Sequence, residues 1–149
     1  MRKGFTLVEI MIVVAIIALL SAIAIPNLLR ARSNANESNA AAAMHTLVAA
    51  QVAYRATHSN YATLASLDDD DPPYIDSTLA GGNKQGYTFA TGGVTPAQFY
   101  ATAIPQTLTQ GHSFYVDEDG VLCRSNSTNT GAETSHTGSG CPSNYGEVQ

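Results

Sequence analysis

Basic side chains are scarce in this sequence, and none of them lies in a long basic block. The 149 residues include 7 lysines and arginines against 12 aspartates and glutamates, and charged residues make up only 13% of the chain. Nucleic acids are bound by clusters of cationic side chains. We therefore expect no direct contact between this protein and nucleic acid.

Motifs that carry catalysis are also missing. The sequence contains no nucleophile elbow, phosphate-binding loop, dinucleotide fingerprint or zinc-protease motif. We therefore predict that the protein is not an enzyme and uses no cofactor.

Candidate metal ligands are few and poorly spaced. The four aspartates at 68–71 lack the alternating ligands and central glycine of a calcium loop, so we interpret them as a solvated charge run. Asp117 and Asp119 are weak calcium candidates in a stretch that we interpret as a hairpin turn. The histidines and cysteines that zinc would favour match no compact ligand pattern. These are His112, Cys123, His136 and Cys141.

One long apolar run near the start of the chain contrasts with these absences. Residues 5–25 read FTLVEIMIVVAIIALLSAIAI, in which Glu9 is the only ionisable side chain. As a helix this run spans about 31 Å, the thickness of a bilayer's hydrocarbon core. A secretory signal peptide has a shorter apolar run, and the polar remainder is too small to bury such a helix on all sides. We therefore predict a membrane anchor.

Charges beside the run predict its orientation. Arg2 and Lys3 precede it, which by the positive-inside rule keeps the N-terminus cytoplasmic and exports the rest of the chain. Arg30 and Arg32 on the other side weaken this prediction slightly.

Glu9 is the anomaly within the run, since an ionised carboxylate there costs on the order of 2–3 kcal/mol. One interpretation places it near the membrane interface, partly protonated or reaching out to water. The other gives it a positive partner, which would be a group of another molecule or a newly made amine, because residues 5–25 contain no basic side chain.

The stretch RKGFTLVEIMIVVAIIALLSAIAIPN resembles the N-terminus of type IV prepilins and the related pseudopilins. The resemblance implies that a membrane peptidase cleaves after Gly4 and N-methylates the new terminal residue, Phe5. It also makes Glu9 the family's fifth-position glutamate and Pro26 its helix-interior proline.

The new ammonium at Phe5 could pair with Glu9 of the same chain, or with Glu9 of a neighbour. A pair at about 4 Å and an effective dielectric near 20 gives roughly 4 kcal/mol before desolvation is subtracted. Between chains, such a contact would fix the axial register of packed helices.

Downstream of the run the sequence predicts an α+β head on a helical stem. Residues 26–58 keep a helical pattern with an apolar stripe of Met44, Leu47, Val48 and Val52. Pro26 is either a flexible kink or a plain break before the stem. Residues 59–84 are rich in turn-forming residues and predict a connecting loop with at most short helix.

Alternating apolar residues then predict a small antiparallel sheet of three to four strands within 85–124, packed on the stem helix. The strands are predicted at 85–91, 98–104, 113–117 and 121–124. An even cysteine count in an exported domain favours a Cys123–Cys141 disulfide, and the loop at 123–141 resembles the disulfide-bounded loop of many pilins. Residues 142–149 are predicted to form a C-terminal tail. The resemblance implies that residues 1–4 are a leader peptide.

The resemblance implies a structural subunit of a type IV pilus. Such a subunit starts as a single-pass protein of the bacterial inner membrane and polymerises helically into an extracellular fibre for adhesion, motility or related surface functions. Its implied partners are membrane lipid, further copies of the chain, the prepilin peptidase and methyltransferase, and an assembly platform with its ATPase. A type II secretion pseudopilin and a non-polymerising membrane-anchored binding protein are the two alternatives.

Overall fold

The computed structural model describes residues 4–107, 111–126 and 140–148 of the chain. The chain divides into two compact units, Met1–Ser33 and Asn34–Gln149. The described elements are α1 (Leu7–His58), α2 (Leu64–Asp68), α3 (Ser77–Ala80), β1 (Asn83–Lys84), β2 (Tyr87–Gly92), β3 (Tyr100–Pro105), β4 (Phe114–Asp117), β5 (Cys123–Ser125) and β6 (Tyr145–Glu147). The predicted α+β class with a long N-terminal helix is confirmed.

The first unit contains the apolar part of α1. Large apolar side chains at residues 5–29 leave 45–86% of their surface exposed. A helix satisfies its own backbone donors and acceptors, so it can present such side chains to lipid. Pro26 lies inside α1, so the helix does not end there. The flexibility expected at Pro26 stays a prediction.

In the second unit one face of α1 is buried in the core of the head. Met44 and Leu47 are fully buried there and Val48 is half-buried, as predicted. Val52, however, is 56% exposed, so its assignment to the buried stripe is wrong. At 100° per residue, position 52 is rotated by about 80° from position 44, whereas position 51 is rotated by only about 20°. The buried face comprises Ala40, Ala43, Met44, Leu47, Ala50 and Gln51.

Gln51 is a buried polar side chain whose two polar atoms are both bonded. Its Nε2 donates to the carbonyl oxygen of Ala62 at 2.6 Å, and its Oε1 accepts from the amide of Ala62 at 2.8 Å. The pair fixes the chain just after the end of α1 against the helix, and it leaves no orphaned group at this point of the core.

The sheet is an antiparallel meander in the order β1-β2-β3-β4-β5-β6. The four predicted strands correspond to β2–β5, so their existence is confirmed. The described residues nevertheless contain six strands rather than three to four, because β1 pairs with β2 and β6 pairs with β5. These two strands have two and three residues, which is too short for a readable alternation of apolar and polar side chains.

The two faces of the sheet are covered differently along its length. In β2, Tyr87 and Phe89 are buried while Thr88 and Ala90 are exposed, as the alternation predicts. In β4 all four residues are buried, so the half-buried strand expected there is wrong. The second face of β4 is covered because Tyr115 lies between the rings of two tyrosines from β3 and β6, with centroid distances of 6.1 and 6.3 Å.

The segment between α1 and the sheet contains two short helices with side-chain caps. Thr63 accepts from the amide of Ser66 before α2, and Asp76 accepts from the amide of Leu79 before α3. Asp76 also binds Lys84 Nζ at 2.7 Å. The predicted connecting loop therefore holds short helix, and its last two residues form β1.

Cys123 and Cys141 are joined by a disulfide with their Cα atoms 5.5 Å apart, so the predicted pairing is confirmed. Most of the enclosed segment, residues 127–139, lies outside the described residues. Residues 142–149, expected to be a tail, contain β6, which is paired with β5 beside the disulfide. A strand of three residues depends on this partner and has no signal of its own in the sequence.

Candidate functional site

The start of α1 carries the residues that the sequence singles out for processing and assembly. Gly4, Phe5 and Thr6 precede the helix and are exposed, and the Phe5 side chain is 86% exposed. A Cβ atom added at Gly4 would meet nothing within 4 Å. The Gly4–Phe5 peptide bond is therefore accessible and lies outside the hydrogen-bonded helix.

Thr6 and Glu9 form a reciprocal set of hydrogen bonds at this helix start. The amide and the hydroxyl of Thr6 both donate to Glu9 Oε2, at 2.8 and 2.7 Å. The amide of Glu9 approaches Thr6 Oγ1 at 3.3 Å. This is a capping box, in which a threonine and the glutamate three residues later satisfy each other's free backbone donors.

Thr6 is a residue that the sequence reasoning missed. The signal was present, since Thr6-Leu7-Val8-Glu9 has the T-x-x-E pattern that precedes an apolar helical run. The donors of Thr6 are neutral, whereas the sequence prediction for Glu9 considered only a positively charged partner. Phe5 lies outside the helix in this structure, and a Phe5–Glu9 pair after cleavage stays a prediction.

The apolar part of α1 is long and hydrophobic enough to cross a membrane, and its most apolar stretch is entirely unburied by the rest of the protein. Its large apolar side chains lie all around the helix and not along one stripe. A helix of this kind needs lipid or other helices around it.

Asp117 and Asp119, the weak calcium candidates, lie at the turn between β4 and β5, where Asp117 accepts backbone hydrogen bonds. Asp117 is 1% exposed, and its Oδ1 accepts from the amide of Asp119 at 3.2 Å. The amide of Gly120 donates to the carbonyl oxygen of Asp117, which closes the turn, and Gly120 has a φ of 75° that favours glycine. The interpretation as a hairpin turn is confirmed. Within the described residues, no group of three or more His, Cys, Asp or Glu side chains is placed to hold a metal.

Within the part of the chain that the structure describes, the other candidate ligands do not come together either. The two cysteines are bonded to each other, and His112 Nδ1 lies 2.8 Å from the carbonyl oxygen of Ser125. His136 lies outside the described residues. Within the aspartate run, Asp70 Oδ2 lies 3.6 Å from His58 Nε2.

Asp76 and Tyr87 have pKa values shifted from their ordinary ones. The hydrogen bond from Lys84 lowers the pKa of the Asp76 carboxyl, and the amide of Leu79 acts in the same direction. Burial raises the pKa of the Tyr87 hydroxyl, with a smaller contribution from the negative charge of Glu37. Glu37 itself accepts from the amide of His112 at 2.9 Å, which joins α1 to the chain before β4.

Comparison with known proteins matches both parts of the chain. Residues 1–25 match the family model of the prokaryotic N-terminal methylation motif. The type IV wide pilus major component PilA4 of Thermus thermophilus is 37% identical over 95 residues, which cover 60% of this chain and 72% of that protein.

Two further relatives match over shorter shares of their own length. The type IV major pilin protein PilA of Myxococcus xanthus is 40% identical over 65 residues, covering 44% of this chain and 30% of that protein. The type II secretion system core protein G of Escherichia coli K12 is 33% identical over 90 residues, covering 58% of this chain and 61% of that protein.

The chain is an α+β protein with a membrane-type anchor. The anchor is an apolar helix capped at its start by Thr6 and Glu9, and an antiparallel sheet with a disulfide follows it along the chain. With the methylation motif and these relatives, the chain belongs to the type IV pilin and pseudopilin family.

Proposed function

We propose that this protein is a structural subunit of a type IV pilus that polymerises through the apolar part of α1. The observation that carries the proposal is an exposed apolar helix with a single carboxylate at its start, within a stretch that matches the N-terminal methylation motif. The names of the relatives from Thermus thermophilus and Myxococcus xanthus, both pilus components, support it.

In this proposal, packing of the exposed apolar surface of α1 against other copies drives assembly. Thirteen large apolar side chains between residues 7 and 25 are at least half exposed in the single chain. Lipid surrounds them before assembly, and a bundle of identical helices replaces the lipid in the fibre. Because lipid tails are themselves apolar, the gain comes from close packing of helices and from polar contacts between them.

Glu9 supplies the polar contact that fixes the register in this proposal. Cleavage after Gly4 creates an ammonium at Phe5, and N-methylation keeps its positive charge. The ammonium of an incoming subunit then neutralises the Glu9 carboxylate of a subunit already in place. An uncleaved or misaligned subunit presents no charge at that point and leaves a carboxylate unpaired in a low-dielectric bundle.

Processing and extraction require partners. The accessible Gly4–Phe5 bond is the proposed site of a prepilin peptidase, which also methylates Phe5. The sequence has no nucleotide-binding motif, so a separate ATPase and an assembly platform in the inner membrane supply the work of moving the helix out of lipid.

A secretion pseudopilin is the second candidate, favoured by the similarity to the core protein G of Escherichia coli. Such a subunit would form a short periplasmic fibre instead of an extracellular pilus. The disulfide between Cys123 and Cys141 favours the pilus, because the loop it closes resembles that of many pilins and is seldom found in the major pseudopilins of type II secretion.

The test is mass spectrometry of fibres sheared from the surface of the cells that make this protein. We expect the dominant species to begin at N-methylated Phe5. A Gly4→Val variant is the matched control, since the space around Gly4 is open and the substitution leaves the fold undisturbed. It should keep its leader, remain in the membrane and be missing from the fibres.

Two results would contradict the proposal. Ordered fibres built from chains that retain residues 1–4 would remove the role of the new ammonium. Fibres without this protein, from cells that hold the cleaved form in the membrane, would favour the pseudopilin.

A further inference from the structure

We infer that Thr6 is the positioning residue for Glu9: it fixes one carboxylate oxygen on the subunit's own helix start and leaves the other for the neighbour's ammonium. The inference rests on the proposed function, in which that ammonium pairs with Glu9. It adds a residue to which neither the methylation motif nor the charge pattern assigned a role.

The geometry at the helix start separates the two carboxylate oxygens of Glu9. Both Thr6 donors, the amide and the hydroxyl, reach the same oxygen, Oε2, at 2.8 and 2.7 Å. Among the described residues no hydrogen-bond donor lies on Oε1. A carboxylate has about four acceptor sites, so Oε1 remains available to an ammonium while Oε2 is held.

Holding the side chain before the partner arrives makes pairing easier. A glutamate side chain that rotates freely must be ordered when the pair forms. Ordering one such side chain reduces an association constant by about two- to tenfold. With two bonds to Oε2 already made, most of this ordering is complete in the membrane-inserted subunit.

The same hydrogen bonds reduce the free-energy cost of the Glu9 carboxylate in the membrane before assembly. A charged group that accepts charge-assisted hydrogen bonds is better satisfied than an isolated one. The free backbone donors at a helix start also place positive partial charge beside a carboxylate. Thr6 therefore serves Glu9 both before and during assembly.

Two substitutions at Thr6 separate the effect of its hydroxyl from the effect of its side-chain shape, and one at Glu9 removes the charge. Thr6→Val keeps the branched shape and removes the hydroxyl, whereas Thr6→Ser keeps the hydroxyl and removes the methyl group. Glu9→Gln keeps the capping pattern, which glutamine also satisfies, and removes the negative charge.

The experiment measures the incorporation of full-length variants into fibres, each variant being the only copy of the chain in its cells, so that every subunit already in place carries the substitution. Mass spectrometry gives the amount of each variant in the fibres relative to its cleaved form in the membrane, and the wild type is measured in the same way. We expect Thr6→Val to be incorporated about two- to tenfold less than wild type, and Thr6→Ser to be close to wild type. In a Glu9→Gln background, Thr6→Val should cause no further loss, because there is no charge left to position.

Each other outcome overturns the inference. Equal incorporation of Thr6→Val and wild type means that the hydroxyl positions nothing. An equal further loss in the Glu9→Gln background means that Thr6 acts only as a helix cap. A loss confined to cleavage or membrane level places its role in processing.

A second measurement is independent of fibres. Amide hydrogen exchange of the uncleaved chain in detergent micelles should show that Thr6→Val speeds exchange at Glu9 while Thr6→Ser does not. Unchanged exchange would remove the capping box. If the wild type forms no fibres at all, the proposed function fails, while this measurement still tests the bonds between Thr6 and Glu9.

Discussion

The two units of this protein use similar residues in opposite ways. In the first unit, leucines, isoleucines and valines of α1 are exposed all around the helix. In the second, Met44 and Leu47 of the same helix are buried, and apart from Val52 the exposed face carries small or polar residues. The difference shows that the apolar side chains in the first part of α1 need lipid or other helices around them. The apolar side chains in the second part are buried by the rest of the same chain.

The largest expected effect is on the buried part of α1. Leu47 is 1% exposed, so Leu47→Ala removes packed methyl groups and leaves a cavity that should lower the free energy of unfolding by about 2–5 kcal/mol. The measurement is denaturation of the full chain in detergent micelles followed by tyrosine fluorescence. All seven tyrosines lie after residue 53 and there is no tryptophan, so the signal reports on the second unit alone.

Val52→Ala is the matched control for Leu47→Ala, five residues further along the same helix. Val52 is 56% exposed, so this substitution should change the free energy of unfolding by only about 0.5 kcal/mol or less. Equal effects of the two variants would contradict the assignment of the buried face.

A charge in the exposed part of α1 should have the opposite pattern. Ile16→Lys places a cation near the middle of the apolar run and should disfavour membrane insertion by about 3 kcal/mol. The measurement is the fraction of protein recovered in membranes, with Arg30→Lys as a control that keeps the charge pattern. The unfolding midpoint of the head should not change. A coincident loss of head stability would break the comparison between the two units.

The smallest effect concerns the ion pair of the head. The pKa of Asp76 is lowered from its ordinary value of 3.8, first by the hydrogen bond from Lys84, so the folded state favours the ionised carboxylate. Its contribution to stability is therefore present above the unfolded pKa and is lost as the pH falls through the lower folded value. Asp76→Asn keeps a good helix cap and removes the charge.

The side chain of Asp76 is 48% exposed, so solvent screens the pair. Asp76→Asn should lower the free energy of unfolding by at most about 1 kcal/mol at pH 7. The difference from wild type should shrink toward zero as the pH falls below 3.8. A difference that grows on acidification would mean that Asp76 is not the group responsible.

Much of the fold could be predicted from patterns that are local in the sequence. The long apolar run, the alternation around Tyr87 and Phe89, and the glycine-containing turn at 117–120 each depend on neighbours a few residues away. The disulfide was predictable because two cysteines in an exported domain leave only one intrachain pairing. Each of these features was recovered in the structure.

Most of the features that the sequence did not predict depend on contacts with residues far along the chain. Gln51 is buried because Ala62, eleven residues later, supplies matching backbone donors and acceptors. Tyr115 is buried because β6 brings Tyr145 against it. Thr6 differs from both, because its partner Glu9 is only three residues away and the pattern was readable.

By itself, the sequence determined that the chain has a membrane-type helix with one carboxylate at its start, a helical stem and a small disulfide-linked sheet. These follow from hydrophobicity, periodicity and residue type, which act over a few residues. Only the tertiary structure decided which face of the stem is buried, where the sheet ends and which polar groups are satisfied inside the head. Burial and hydrogen bonding of those groups depend on contacts between residues distant in sequence, and no local pattern encodes such contacts.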